Sequence, residues 1–494
     1  MIKKIIYKLI NKSTSYFCIS PNVTLLILML IAINSINSAT ANNLPNFGNE
    51  TQSIISKKVE IIIGKTWLHQ IRHAGMIDPD PIVSAYINHL GNSLLANANQ
   101  VDLSKFNFFI VPGDEVNAFA FFGGNIGVFS GLINITETES ELAAILAHEI
   151  SHITQKHSAR QLLQQKKLMP LTIAEAAAAI AIGVPDLVLP VLGGHIQQML
   201  TFSRENEQEA DRIGIQLLNK SKFDPRAMAN IFQRFSQINT ELQKTPEYLL
   251  THPMFESRIP DAYNRTEQTS YRQFVDHIDY GLIKARIKNN LTANKTNLLT
   301  QIENRLKNHR YSNYTVLRYE QALVLQDLHK TTLAINIFKE LIEKNPENII
   351  IQLSFSQLLA TTEPIFAKNK LANLMQISPD YLPLILTYAQ TLLTLNLPLD
   401  AKNVLQQYNK NHIYDLIEEP KIYELLLGCS QKLNEQDESL FAQTKLLILN
   451  NNLSAAEQKI ELALQASKKP NINKIKKFKA ELEKFIKDTK EISI

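Results

Sequence analysis

The run His148-Glu149-Ile150-Ser151-His152 constrains this chain more than any other segment. Residues four apart share one face of an α-helix, so the two imidazoles can be presented to a single ion. Other signals also predict a helix here. Thr138-Glu139-Ser140-Glu141 offers a capping-box start, and Leu142, Ile145, Leu146 and Ile150 keep helical spacing. Ala143, Ala144 and Ala147 give that helix the small, apolar surface of a buried element. Zinc suits two nitrogens and a carboxylate, and in catalytic sites it keeps one position open for water. The ion lowers the pKa of water to near neutrality, and a glutamate placed as Glu149 is takes the proton. The motif by itself is short, and a solvated His-Glu-x-x-His helix without a metal is the alternative reading.

With 494 residues the chain exceeds one ordinary core, so two domains are expected. Ahead of the histidine helix, Asn107–Val111 and Ala118–Phe121 are rich in aromatic and β-branched residues, and both read as strands. Gly123-Gly124 supplies turn chemistry, and Ile126–Phe129 reads as the returning strand of a hairpin. Downstream, Ser203 to Asp211 forms a carboxylate-rich helical segment containing Glu205, Glu207 and Glu209. His157, five residues beyond His152, is rotated off the metal face, and a structural or supporting role is expected for it. His195 has no motif around it. The apolar stretch from Pro170 to Gly194 is broken by Pro185, Pro190, Glu175 and Asp186. It reads as a buried helical excursion or a flap over the site rather than a membrane contact.

Residues 1–41 are expected to be a signal peptide. Lys3, Lys4, Lys8 and Lys12 precede an apolar run, Val23 to Ile33, and Ala39-Thr40-Ala41 follows as a small-residue cleavage site. Those four lysines account for the formal charge of +4, and the remainder has 47 basic and 47 acidic residues. A balanced chain has no electrostatic case for nucleic-acid binding. Cys18 precedes the apolar run and Cys429 is the only other cysteine, so the exported chain can form no internal disulfide.

From about residue 290 strand signals fade and helical patterns continue to the end. Ala322, Ala334, Phe338 and Pro346 fit a helix-turn-helix repeat of about 34 residues, resembling the tetratricopeptide family. Pro379, Asp400-Ala401 and Ala442 mark further pairs with an eroded consensus; a non-repeating helical bundle is the alternative. Each helix pair exposes an apolar face until a neighbour covers it, so several must stack. Lys474 to Ile494 reads as an amphipathic helix. Its lysines offer peripheral contact to an anionic membrane, but a solenoid cap is the favoured reading.

The ordered set of motifs resembles peptidase family M48, and the resemblance extends over nearly all the chain after residue 41. Its motifs are specific only in the first half. It implies an α+β zincin-like metallopeptidase domain, mostly helical with a small sheet, over 42–285, and an all-α tetratricopeptide-like solenoid over 290–494. It implies one zinc ion per chain on His148, His152 and Glu207, the last being the first glutamate of the family's E-x-x-A-D segment. Glu149 would be the catalytic base, and Asp211 would hydrogen-bond a ligand histidine. Asn117, with Ala118-Phe119-Ala120, matches the edge strand along which the family holds extended substrate. His252 and Arg258 match a pair that stabilises the transition state in some members. In the exported members with such repeats, the histidine matching His252 can bind zinc and hold the enzyme latent.

Two compatible functions follow from the resemblance. One is an endopeptidase of the periplasm acting on unfolded or misassembled envelope proteins, with repeats reaching the outer-membrane assembly machinery. The other is a chaperone or assembly adaptor with little proteolysis. A plain scaffold with a degenerate metal site is disfavoured by the complete set His148, Glu149, His152 and Glu207.

Overall fold

The computed structural model describes residues 57–98, 106–158, 203–242, 246–254, 257–267, 274–411, 419–467 and 471–492. The expected signal segment, the apolar stretch 170–194 and His195 lie outside these residues. Helix α1 (Lys57–His73) and α2 (Pro81–Leu95) precede strands β1 (Asn107–Val111), β2 (Ala118–Phe121) and β3 (Asn125–Phe129). After them come α3 (Ser130–Ile135), α4 (Glu139–Thr154), α5 (Arg204–Lys220), α6 (Ala227–Leu242), the single turn α7 (Tyr248–Thr251) and α8 (Arg258–Glu267).

The strands form one sheet in the order β1-β3-β2. β2 and β3 are the expected antiparallel hairpin, with Ala118 opposite Val128 and Phe121 opposite Asn125. Gly123 turns it with φ at 73°, a conformation that a side chain would strain. β1 pairs with β3 in parallel, leaving β2 at the edge. α1 covers one side of the sheet, where Trp67 stacks on Phe121 at 4.4 Å and meets Phe119 edge-on at 5.5 Å. α4 packs against β2 and β3 within the main core.

Short helices follow: α9 (Ile278–Leu291), α10 (Lys295–Lys307), α11 (Tyr314–Asp327), α12 (Thr331–Lys344), α13 (Ile349–Thr362) and α14 (Pro364–Ile377). α15 (Leu382–Thr394), α16 (Pro398–Asn411), α17 (Pro420–Lys432), α18 (Gln436–Leu449), α19 (Leu453–Ala466) and the longer α20 (Ile472–Ile492) complete the chain. From α11 to α20 each helix packs on the next, as in a helical solenoid. Ala322, Ala334 and Phe338 are fully buried between α11 and α12, and Pro346 and Pro379 sit in the exposed turns before α13 and α15. Asn396, Asn434 and Asn451 take the left-handed conformation in the turns after α15, α17 and α18, a role asparagine tolerates in place of glycine.

One apolar core runs from Ile82 on α2 through the sheet, α4 and α6 to Leu384 on α15. It therefore crosses the boundary expected near 285–290. At the end of the chain, α20 buries Ile475, Leu482 and Ile486, and both α18 and α20 also touch α1. Among the described residues no helix is long and apolar enough to cross a membrane.

Candidate metal centre

α4 starts where its capping chemistry puts it. The Thr138 side chain accepts the Glu141 N–H at 3.1 Å, and the Glu141 carboxylate accepts the Glu137 N–H at 2.7 Å. Every residue from Ser140 to His152 is buried, so the histidine motif lies in the core. α5 is capped by Ser203, whose hydroxyl accepts the Asn206 N–H. Its face toward α4 carries Glu207, Ala210, Asp211 and Gly214 at helical spacing, and these four are buried. Gly214 sets how closely the helices approach. A Cβ there would stand 2.9 Å from the Met228 methyl and 3.4 Å from the His148 amide nitrogen. α7 brings in a third contributor, His252, which is also buried.

Ligand atoms of His148, His152, Glu207 and His252 all lie within 4.8 Å of one another. His148 Nε2 is 2.9 Å from His152 Nε2, 3.3 Å from His252 Nδ1 and 3.5 Å from Glu207 Oε2. Glu207 Oε1 lies 3.4 Å from His152 Nε2 and 3.0 Å from His252 Nδ1. One lone pair or proton on His148 Nε2 cannot satisfy three such neighbours, whereas imidazole nitrogens and a carboxylate converging on one point suit a divalent cation. Both Glu149 oxygens are buried without a hydrogen-bond partner, and Oε1 lies 3.5 Å from His252 Nε2.

Around this cluster the charges are tied down. His148 Nδ1 is 2.9 Å from Asp211 Oδ1, within hydrogen-bond range although the ring N–H is not aligned on it. A proton on Nδ1 leaves the lone pair of Nε2 facing the cluster. Arg258 grips Asp211 with two hydrogen bonds of 2.8 Å, pairs with Glu207 at 2.8 Å and donates to the Pro253 carbonyl at 3.1 Å. Its guanidinium also lies 4.4 Å over the Phe232 ring. On the far side of His152, His157 Nδ1 is 2.9 Å from His152 Nδ1, and His157 Nε2 is 3.1 Å from Glu209 Oε2.

Burial works against charge throughout, and the neighbours decide the outcome. It opposes protonation of His148, yet Asp211 and Glu207 raise that pKa to about 9. Burial together with the nearby His148 and His252 lowers His152 well below the usual imidazole value, against the pull of Glu207. Glu207 and Asp211 resist the burial that would protonate them, because His252 and Arg258 hold Glu207 ionised and Arg258 does the same for Asp211.

The structure thus brings together His148, Glu149, His152, Glu207, Asp211, His252 and Arg258. Glu205 is exposed and Glu209 faces His157, so neither joins the cluster. Asn117 lies immediately before β2, its carbonyl accepting the Phe129 N–H at 3.0 Å and its side-chain oxygen buried without a hydrogen-bond partner. The Arg258 donors go to Asp211, Glu207 and loop carbonyls, so contact with a substrate would require a rearrangement. Sequence reasoning missed Tyr248, which is fully buried and stacks on His252 at 4.5 Å. The only sequence signal was its position four residues before that histidine.

The family model for peptidase family M48 matches residues 81–266, which include every member of the cluster. The chain is 34% identical to the beta-barrel assembly-enhancing protease of Yersinia pestis over 420 residues, 84% of this chain and 85% of that protein. It is 33% identical to the protein of the same name from Escherichia coli (strain K12), over 87% of this chain and 88% of that one. A mitochondrial metalloendopeptidase, OMA1 of Schizosaccharomyces pombe, is 30% identical over 35% of this chain and 50% of its own length. This chain belongs to peptidase family M48 and is a metalloendopeptidase.

Proposed function

We propose that this chain is a zinc-dependent endopeptidase of the bacterial periplasm. In this reading it removes misfolded or stalled outer-membrane proteins and also assists their assembly. The observation that carries it is the buried cluster of His148, His152, Glu207 and His252 beside the Glu149 carboxylate, whose oxygens accept no hydrogen bond. The names of the two long relatives support the assembly role. The signal-like residues 1–41 support export.

His148, His152 and Glu207 are the proposed zinc ligands. Bound zinc would supply Lewis acidity, polarising a peptide carbonyl and acidifying water. Glu149 takes a proton from the attacking water and returns it to the leaving amine. Its oxygens suit that task because no hydrogen bond competes for them. Asp211 orients His148, and Arg258 fixes Asp211 and Glu207 together. His252, seated in the cluster, holds the resting enzyme latent and must move before a substrate carbonyl can enter. The edge at Asn117 and β2 receives the extended substrate, and the helical half, 290–494, recruits clients and the outer-membrane assembly machinery.

A second reading, a chaperone or adaptor that seldom cleaves, is favoured by the seated His252. A zinc-loaded Glu149→Gln trap distinguishes the two. Wild type should cleave the outer-membrane proteins that the trap retains. Capture of the same clients without cleavage by wild type would favour the adaptor.

A further inference from the structure

Resting on the proposal that His252 is a latch and β2 a substrate edge, we infer that the two are mechanically one device. The latch occupies part of the substrate edge, and an extended substrate that reaches Val116 unseats His252.

The pairing of β2 with β3 decides which backbone groups face outward. Asn117 C=O accepts from Phe129 N–H across the hairpin, and Phe119 and Phe121 stand opposite Gly127 and Asn125. Bonding alternates along an antiparallel pair, so the intervening residues Val116, Ala118 and Ala120 direct their N–H and C=O groups to the open edge. An added peptide strand bonds to those alternate residues.

At Val116 both groups are already taken. Its C=O accepts the Tyr248 N–H at 3.0 Å, and its N–H donates to Glu247 Oε2 at 3.3 Å. The residues that fill the edge are also those that seat the latch. Tyr248 C=O accepts the His252 N–H at 2.9 Å, and the Tyr248 ring lies nearly parallel to the imidazole, 21° apart at 4.5 Å. His252 Nδ1 in turn lies 3.0 Å from Glu207 Oε1. The six consecutive residues Glu247 to His252 therefore connect the edge to the metal centre. A substrate strand covering only Ala118 and Ala120 leaves them in place. One that continues to Val116 must displace Glu247 and Tyr248, and the stacked histidine moves with them.

The test compares kcat/KM over a nested series of unstructured peptides lengthened at each end, for zinc-loaded wild type, Glu247→Ala, Glu247→Gln and His252→Ala. Wild type should show a step in kcat/KM once a peptide is long enough to reach Val116. Glu247→Ala should raise cleavage of short peptides about tenfold or more, the weight of one hydrogen bond to a charged group. Glu247→Gln, which keeps the side-chain shape, should fall between, and His252→Ala should abolish the step. Equal step heights in wild type and both Glu247 variants, with the step lost in His252→Ala, would overturn the coupling while leaving the latch. No gain on short peptides from His252→Ala would overturn both. Hydrogen exchange on zinc-loaded Glu149→Gln gives a second readout. A long peptide should deprotect the amides of Tyr248 and His252 while Val116 stays protected; unchanged protection at 248 and 252 would overturn the coupling.

Discussion

Arg258 heads the large side chains wholly withdrawn from solvent among the described residues, and a buried guanidinium is tolerable only with its donors satisfied. The forked grip on Asp211 and the pair with Glu207 provide this, and lysine cannot reproduce two parallel bonds. Arg258→Lys should cost about 3 kcal/mol, the scale for breaking a buried pair, read as a lowered thermal midpoint. His157, set between His152 and Glu209, should act on the metal rather than on the fold. His157→Ala is expected to weaken zinc retention about 10–100-fold in a chelator competition, with kcat per bound zinc less affected. At this scale the spacing of His148 and His152 could be read from the sequence because it is local to one helix. Glu207 needed the family pattern to separate it from Glu205 and Glu209. Tyr248 and the partners of Arg258 could not be read, because they meet only when α5, α7 and α8 converge.

Helix boundaries follow local chemistry, which is why the start of α4 and the β2–β3 hairpin were legible in advance. The parallel pairing of β1 with β3 was not, since it joins strands separated by β2 and carries no turn signal of its own. The close approach of α4 and α5 depends on Gly214, a residue that no pattern in the sequence singles out. Gly214→Val should force the helices apart and cost about 1–3 kcal/mol by overpacking, with metal binding weakened at the same time. In the α11–α12 pair, burial opposes ionisation of Glu340, but Lys344, Arg318 and Tyr314 bind its carboxylate and lower its pKa from 4.5 to about 2. A depressed carboxylate pKa contributes stability above the unfolded value and loses it as pH falls through the folded one. Glu340→Gln should therefore flatten the part of the stability profile between pH 4.5 and about 2, measured by urea unfolding.

Across the whole molecule, a buried polar joint ties the M48-matched region to the helices that follow it. Arg286 on α9 binds Asp80, the cap of α2, and also the hydroxyls of Tyr319 on α11 and Ser354 on α13. With the continuous core and the contacts of α18 and α20 on α1, this packs the later helices against the M48-matched region rather than leaving them on a free tether. The change of composition near 290 was legible; the shared core was not, because burial between distant segments leaves no periodic trace. Function at this scale depends on whether the buried cluster performs metal-dependent peptide hydrolysis. Zinc content and cleavage of an unfolded client, measured on the same preparations of wild type and Glu149→Gln, test that most directly. Both should carry about one zinc per chain, as a His, His, Glu site binds, and only wild type should cleave. Cleavage by Glu149→Gln at the wild-type rate, or by wild type stripped of metal, would contradict the account.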